Sequence, residues 1–509
     1  MARSTVVDLI ANMVSRLAAG GLQFVFVPIY VSLLGPDAYG LLGFYLAVLG
    51  LLLCLDQAVT PTITRTFAQH DPDNAKPGLM WDTLRTMEWV SISLGCILGV
   101  LIFVAAPWIA ANIVHSKSMK PEEASSALRC MSLTLACQWP SFMYSGALTG
   151  LRTQLALNTV RTSISFAQWL GGAILLRYFS SDVAILFVWQ AGCFFVQSVL
   201  LRKNVRINMP LVLSPPRFSG QIFLNSWRFS VGALVIGITG ATLTQGDKFL
   251  VSHSSSLSTF SAYSLAFLMA SLIGIFVAQP IATVAFPGFV KALHVQDHGI
   301  LASRYRSWTQ ATVLLVAPTT AALIVFPDAV LGAWMHKSPA MNLEIASYLP
   351  WIAAGTLLNL LMLLPFNLQI AAGWTSLSSI KNIIILPFFV AGLWYFLPLV
   401  GPLAGAIAWL MINAAYYAFE IPIMHRRLLP RIMVKWWLID TSVPCLLAIG
   451  LMMSLRHVQS LIFPTISPIV FCIIGWLAAT LTLAGFLSLS REIIFDLWRR
   501  ASGRLPIKI

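Results

Sequence analysis

The sequence predicts an all-α polytopic membrane protein of about fourteen transmembrane helices, and three observations carry that expectation. Of 509 residues, 58% are hydrophobic and only 10% charged, less than half the roughly 25% charge of a soluble domain. The apolar residues gather in runs of about 20 or more, the length needed to cross a hydrocarbon layer roughly 30 Å thick. The breaks between runs carry turn chemistry, as at Gly35-Pro36-Asp37, Ser254-Ser255-Ser256 and Pro398 to Pro402. Together these exclude a water-soluble globular domain, a disordered chain and a fibrous protein.

In order, the spans are 8–34, 38–64, 86–112, 126–150, 157–179, 182–202, 228–252, 258–290, 306–335, 345–372, 376–398, 401–424, 436–455 and 464–489. The longest of them must tilt or project beyond the lipid. The first follows Arg3 and is too long for the apolar region of a cleavable signal, so it reads as a retained span. Basic residues set the topology. With the N-terminus inside and the spans alternating, 24 of the 32 Lys and Arg fall on the inner side and six on the outer. Both termini are therefore expected in the cytoplasm, and the formal charge of +14 reports orientation rather than nucleic-acid binding. The seven cysteines lie in or beside spans without any close-spaced pair, which predicts neither a disulfide framework nor a metal site.

The first six spans and the next six read as a repeat. Ala38-Tyr39 recurs as Ala262-Tyr263, Gln57 as Gln279 and Gly150 as Gly373, at offsets of 224, 222 and 223 residues. Six spans per unit means that both halves start on the same side, related by an axis along the membrane normal. The expected organisation is a lobe at 1–203, a basic proline-bearing connector at 204–227, a second lobe at 228–428, and spans 13 and 14 with a basic tail at 429–509.

Span 1 closes on Phe26-Val27-Pro28-Ile29-Tyr30, then Leu34-Gly35-Pro36-Asp37-Ala38-Tyr39-Gly40, and span 2 carries an intramembrane Asp56. The second lobe has Gly246-Asp247-Lys248-Phe249-Leu250 followed by Ala262-Tyr263-Ser264. These segments resemble bacterial polysaccharide and O-antigen flippases of the Wzx type. That family lies within the multidrug/oligosaccharidyl-lipid/polysaccharide (MOP) superfamily, which also holds the MATE multidrug transporters and lipid II flippases. The resemblance covers the whole chain in topology and about 120 residues in recognisable motif. It departs at Ser254-Ser255-Ser256, where the family has a short Leu-Gly turn, so a looser connection is expected there. The resemblance implies two MATE-like six-helix lobes around a cavity that opens alternately to each side. It also implies a substrate: oligosaccharide units on a polyprenyl diphosphate, moved from the inner to the outer leaflet of the bacterial cytoplasmic membrane for polysaccharide biosynthesis.

Charges inside apolar spans mark functional positions by default. Arg16 and Asp56 each lie about 20 residues from the hairpin joining spans 1 and 2, hence roughly 30 Å below it and at similar depth. In one reading Arg16 faces the cavity and contacts a diphosphate or acidic sugar while Asp56 restrains it. In the other they form a static pair, or Arg16 snorkels to the headgroups. Arg65, with Arg152 and Arg161, offers a vestibule for an anionic headgroup, although ordinary positive-inside bias explains those three positions better. Asp247 and Lys248 are adjacent, about 100° apart on a helix, so one lines the lumen while the other meets a neighbouring helix or headgroups. Gln57 and Gln279, with Asn12, Gln23, Gln245 and Asn225, suit sugar hydroxyls, and interhelical hydrogen bonding is the competing use. Trp139, Trp169 and Trp351 offer sugar stacking or belong to an interfacial belt.

No Gly-rich segment ends in Gly-Lys-Ser/Thr, so no cofactor is expected and energy comes from a gradient, the membrane potential or removal of product. Asp56, Asp247 and Glu420 are the candidate carriers of H+ or Na+. The leading expectation is thus a transporter rather than an enzyme, a lipid-linked oligosaccharide flippase meeting membrane lipids and a polysaccharide polymerase complex. Alternatives remain. A drug or cation antiporter favours cavity carboxylates, where span 1 offers Arg16 and no acid deeper than Asp8. A membrane polymerase or glycosyltransferase needs a larger outer loop than 113–125. A scaffold would tolerate cavity substitutions. Which glycan is carried depends on three-dimensional placement of amides and aromatics.

Overall fold

The computed structural model describes residues 2–56, 59–68, 77–116, 118–210, 215–335, 338–374 and 376–487, and the side chains among them except those of 2–11, 77 and 225–236. Gln57 and the side chain of Asn225 lie outside the described residues. Every regular element described is helical. Eleven stretches are long and apolar enough to cross a membrane, and the chain is a multi-pass membrane protein. Two further expected spans coincide with helices of sufficient length but greater polarity, Pro121–Gly150 and 154–178. The remaining one, 228–252, coincides with the helix Gly220–Ser254, part of which lies outside the described side chains. The chain divides into two compact units, Met1–Ser264 with Leu397–Gly401, and Leu265–Phe396 with Pro402–Ile509.

The first unit holds α1 (Ala2–Leu34), α2 (Pro36–Asp56), α3 (Thr60–Ala68), α4 (Pro77–Asn112) and α5 (Pro121–Gly150). There follow α6 (Gln154–Phe166), a π-helical turn (Ala167–Gly171), α7 (Gly172–Tyr178), α8 (Val183–Ile207), α9 (Gly220–Ser254) and the start of α10 (Leu257–Ile273). Local chemistry sets the ends. Gly35 closes α1 with a φ of +82°, which a side chain would resist, and Pro36 opens α2 at a position that needs no N–H. Asp182 caps α8 by accepting the Ala184 N–H at 2.8 Å. The turn at Ser254-Ser255-Ser256 is tighter than its sequence suggests. Ser256 Oγ accepts the Thr259 N–H at 3.3 Å, and the Leu257 N–H donates to the His115 carbonyl at 2.7 Å.

α5 is the axis of this unit. Met131, Leu135, Trp139, Met143 and Ala147, four residues apart, are each at most 1% exposed, and α2, α3, α4, α6 and α8 surround the helix. Meeting protein on most of its surface rather than lipid, α5 tolerates the buried Thr134, Gln138, Ser141 and Ser145, which lower its apolarity. Small residues let the neighbours close in. A Cβ on Gly95 of α4 would lie 2.9 Å from Trp139 Cβ, and one on Gly146 of α5 would lie 2.8 Å from Thr60 Cγ2 of α3. Gly95→Leu is therefore expected to destabilise the protein by about 1–3 kcal/mol or more, read as a lower thermal midpoint in detergent. Gly392→Leu, in open space on α16 (Ser376–Val400), should leave the midpoint unchanged. Equal midpoints for the two variants would refute the packing argument. α9, which the repeat groups with the second lobe, packs along α2 here, with Gly50 against Gln245 and Gly237 against Cys54.

The second unit continues α10 through a π-helical turn (Gly274–Ala278) into α11 (Gln279–His294). Next come α12 (His298–Val325), α13 (Pro327–Trp334), α14 (Pro339–Leu361), α15 (Leu363–Ala371), α16, α17 (Leu403–Ala415) and a π-helical turn (Tyr416–Glu420). α18 (Ile421–Leu428), α19 (Met433–Lys435), a third π-helical turn (Trp436–Ser442), α20 (Val443–Ile462) and α21 (Pro468–Phe486) complete it. α12 is central, packed by α11, α14, α20 and α21. Asp440, fully buried, accepts Arg306 Nε at 2.6 Å and Nη2 at 2.9 Å, and Gln310 Nε2 at 2.7 Å. Trp436 stacks on Tyr305 at 5.9 Å between ring centroids and donates its indole N–H to Thr309. Spans 13 and 14 are thereby docked on α12.

Candidate functional site: a cationic cavity in the first unit

α1, α5, α6 and α8 enclose a cavity of about 550 Å³. Each helix contributes residues at helical spacing, so its polar stripe faces inward. On α1 these are Asn12, Ser15, Arg16 and Ala19, at i, i+3, i+4 and i+7. On α6 they are Gln154, Leu157, Asn158, Arg161 and Ser165, continuing to Gln168 in the π-helical turn. α5 adds Gln138 and Ser141, and α8 adds Gln197. Of the sixteen described lining residues, two are arginines, six carry amides, four carry hydroxyls and none carries a carboxylate. Several of the polar groups brace one another. Asn158 Nδ2 donates to Asn12 Oδ1 at 2.6 Å, and Thr162 Oγ1 to Ser15 Oγ at 2.9 Å, tying α6 to α1.

The two arginines set the electrostatics. Both have accessible surface that opens into the cavity, and Arg161 is close enough to Arg16 to feel its charge. Like charges sharing a partly desolvated cavity repel, and an anion between them relieves that repulsion. A guanidinium also presents a planar fork of donors that matches a phosphate.

A smaller chamber of about 160 Å³ shares Gln138, Gln168 and Phe194 with the cavity and is lined by Tyr30, Tyr39, Tyr45 and Trp169. The π-helical turn builds its wall. A π-helical turn leaves carbonyls out of the regular ladder, and Tyr30 Oη donates to those of Gln168 at 3.1 Å and Trp169 at 3.0 Å. Gly172 makes room for this, since a Cβ there would meet the Tyr30 hydroxyl. Tyr45 donates to Gln138 Oε1, so one amide is shared by both spaces.

The other residues singled out in the sequence fall elsewhere. Asp56 ends α2 half-buried, accepts Thr60 Oγ1 at 2.8 Å, and among the described residues makes no ion pair with Arg16. Arg65 is exposed on α3. Asp247 is buried and accepts Tyr263 Oη at 2.6 Å, while Lys248 folds back onto the Thr244 carbonyl at 2.7 Å and Asp247 at 3.4 Å. Gln279 opens α11 with an exposed side chain. Glu420 is buried in the second unit and held by Lys381, Gln369 Nε2 at 3.0 Å and Ser378 Oγ at 3.1 Å. Trp139 is buried and Trp351 is exposed, so of the three tryptophans only Trp169 lines either space.

Arg161, offered by the sequence as part of a vestibule but explained better there by positive-inside bias, lines the cavity on α6. Two further features were not singled out. Glu88 is buried among Arg85, Arg202 and Arg206. The other is an offset of 223 residues, the one expected of the repeat, which sets Asn158 and Gln197 of the cavity against Lys381 and Glu420, two amides in the first unit against an ion pair in the second.

A family model described as "Polysaccharide biosynthesis protein" matches residues 6–293, more than half of the chain. The succinoglycan biosynthesis transport protein ExoT of Rhizobium meliloti (strain 1021) is 25% identical over 352 residues, covering 69% of this chain and 64% of the relative. The chain thus spans less than two-thirds of that relative's length. A putative O-antigen transporter of Shigella flexneri is 20% identical over 379 residues, covering 74% of this chain and 87% of the relative. The solved lipid II flippase MurJ, in an inward closed conformation, matches with a TM-score of 0.71 at 13% identity, covering 96% of this chain and 100% of that one. An inward-facing multidrug resistance MATE family transporter of the MOP superfamily matches with a TM-score of 0.66 at 13% identity, covering 83% and 99%. At such identity these two show the fold, which is the all-α MATE- and MurJ-like one. With that fold and more than half of its length matched, the chain belongs to the polysaccharide biosynthesis protein family.

Proposed function

We propose that this protein is a flippase that carries polyprenyl-diphosphate-linked oligosaccharide units from the inner to the outer leaflet of the bacterial cytoplasmic membrane by alternating access. The observation that carries the reading is a cavity whose described lining holds two arginines, six amides and no carboxylate. Guanidiniums suit the diphosphate, amides suit sugar hydroxyls, and Trp169 with the chamber tyrosines suits sugar faces. The relatives' names, a succinoglycan transport protein and a putative O-antigen transporter, point the same way. Cation antiport is disfavoured, because the described lining of the cavity holds two arginines and offers a cation no counter-charge.

Moving such a headgroup requires lobes that part on one side at a time, and the repeat gives them as 1–203 and 228–428, with both termini in the cytoplasm. Coupling falls to a carboxylate. Asp247 and Glu420 are each paired with a lysine, whereas Asp56 takes only the Thr60 hydroxyl among the described residues. Asp56 is thus best suited to exchange a proton. A polymerase complex would receive the product at the outer face.

The test is complementation of a strain lacking its own polysaccharide flippase. Restored surface polysaccharide, with loss of the accumulated lipid-linked intermediate, is the expected result. Accumulation that persists while the protein is present in the membrane would overturn the reading. Transport measured with the proton gradient collapsed should fall, and equal rates would remove the ion-coupling step alone.

A further inference from the structure

Away from the cavity, the first unit carries a second cationic pocket. Glu88, 2% exposed, accepts Arg202 Nε at 2.8 Å and Nη2 at 3.2 Å, Tyr144 Oη at 2.9 Å and Arg85 Nη1 at 3.4 Å, and lies 4.0 Å from Arg206 Nη2. One carboxylate thus faces three guanidiniums, leaving two positive charges in excess. A single ion pair would have sufficed to satisfy Glu88. Arg85 and Arg206 meet it only at the long distances and keep most of their donors for something else.

A cavity of about 320 Å³ opens at this point, lined by Trp81, Leu84, Arg85, Glu88, Arg206 and Pro216. Its walls are fixed. Trp81 Nε1 donates to the Pro210 carbonyl at 2.8 Å, and the segment before α9 is tied to α4 through Arg217 N to Asp82 Oδ1 at 2.7 Å and Ser219 N to Thr86 Oγ1 at 3.0 Å. Asp82 is turned to that segment and does not line the pocket. The result is a set of donors held open by a buried acid, next to an apolar wall of indole, leucine and proline.

We infer that this pocket binds a phosphate ester, with Arg85 and Arg206 as its ligands and Glu88 and Arg202 as positioning residues. The apolar wall matches the glycerol and first methylenes of an anionic phospholipid, and the charge asymmetry of the chain sets this end of α4 and α8 at the inner leaflet. A soluble phosphate has the same recognition chemistry. The inference does not depend on what the α1–α8 cavity transports.

Native mass spectrometry of the full-length protein, with added phosphatidylglycerol, phosphatidylcholine or inorganic phosphate, tests it. Wild type should retain phosphatidylglycerol over phosphatidylcholine, and the Arg85→Gln/Arg206→Gln pair should lower that retention about tenfold or more. Retention of inorganic phosphate by wild type, lost in the pair, would keep the pocket and assign it a soluble ligand. Arg206→Glu alone, which removes no close contact of Glu88, should fold and show the same loss, while Arg206→Lys keeps most of the binding. Binding that is equal in wild type and Arg206→Glu, or no binding beyond that of phosphatidylcholine in wild type, overturns the inference.

Discussion

Replacing Arg16 and Arg161 together by glutamine is expected to lower surface polysaccharide about 100-fold or more in a complemented flippase-deficient strain, with the lipid-linked intermediate accumulating inside. The two guanidiniums face one cavity, whose described lining adds six amides and no carboxylate. Each charge-assisted contact to a phosphate is worth about 1.5–3 kcal/mol, so each single substitution should cost roughly ten- to a hundredfold. The double variant should not simply multiply these losses, because removing one arginine also relieves the repulsion felt by the other. Arg161→Lys keeps the charge but not the fork of donors and should fall between wild type and Arg161→Gln. Arg16→Glu places a carboxylate opposite Arg161 and should close the site to an anion altogether. Full export by Arg16→Glu, at wild-type protein levels, would refute the anionic reading of the cavity.

The elements were largely legible in the sequence, because lipid demands long apolar runs and turns demand glycine and proline. Gly35-Pro36 ends α1 and opens α2 where the turn was expected. What sequence depth arithmetic does not give is azimuth. Arg16 and Asp56 sit at matched distances from their hairpin, yet Arg16 faces the cavity among α1, α5, α6 and α8 while Asp56 turns to Thr60 on the next turn of its own chain. Arg161 had a usable signal. Gln154, Asn158, Arg161, Ser165 and Gln168 repeat at three and four residues, a polar stripe that a membrane helix carries only toward protein or water.

Glu88 and Asp440 were hidden for a different reason. Each lies within a few residues of the start of its expected span, at 86–112 and 436–455, where the headgroup region makes a charge unremarkable. Only packing shows that both are buried and held by arginines from other helices. Lys381, which counts toward the inner-side charge by position, lies instead on α16 against Glu420 and over the Tyr416 ring at 3.8 Å. Positive-inside bias thus predicts an orientation while concealing basic residues that bind within the protein.

Arg306→Ala is expected to destabilise the second unit by about 3–5 kcal/mol, read as a lower thermal midpoint and loss of monodisperse protein in detergent. The cause is desolvation. Asp440 is fully buried, takes both Arg306 donors at 2.6 and 2.9 Å, and without them keeps, among the described residues, only Gln310 at 2.7 Å. A charge left with one neutral partner in a dry site costs more than the intact pair contributes, so the paired replacement Arg306→Met/Asp440→Leu should recover most of the loss. Its residual deficit, about 1–3 kcal/mol, would come from the lost Gln310–Asp440 hydrogen bond. Recovery in the double variant identifies the defect as an orphaned charge; failure to recover would mean that the pair itself holds α20 against α12. Because neither residue lines the α1–α8 cavity, export per folded molecule at low temperature should match wild type in both variants. A drop in export without a drop in stability would tie the docking of spans 13 and 14 to transport.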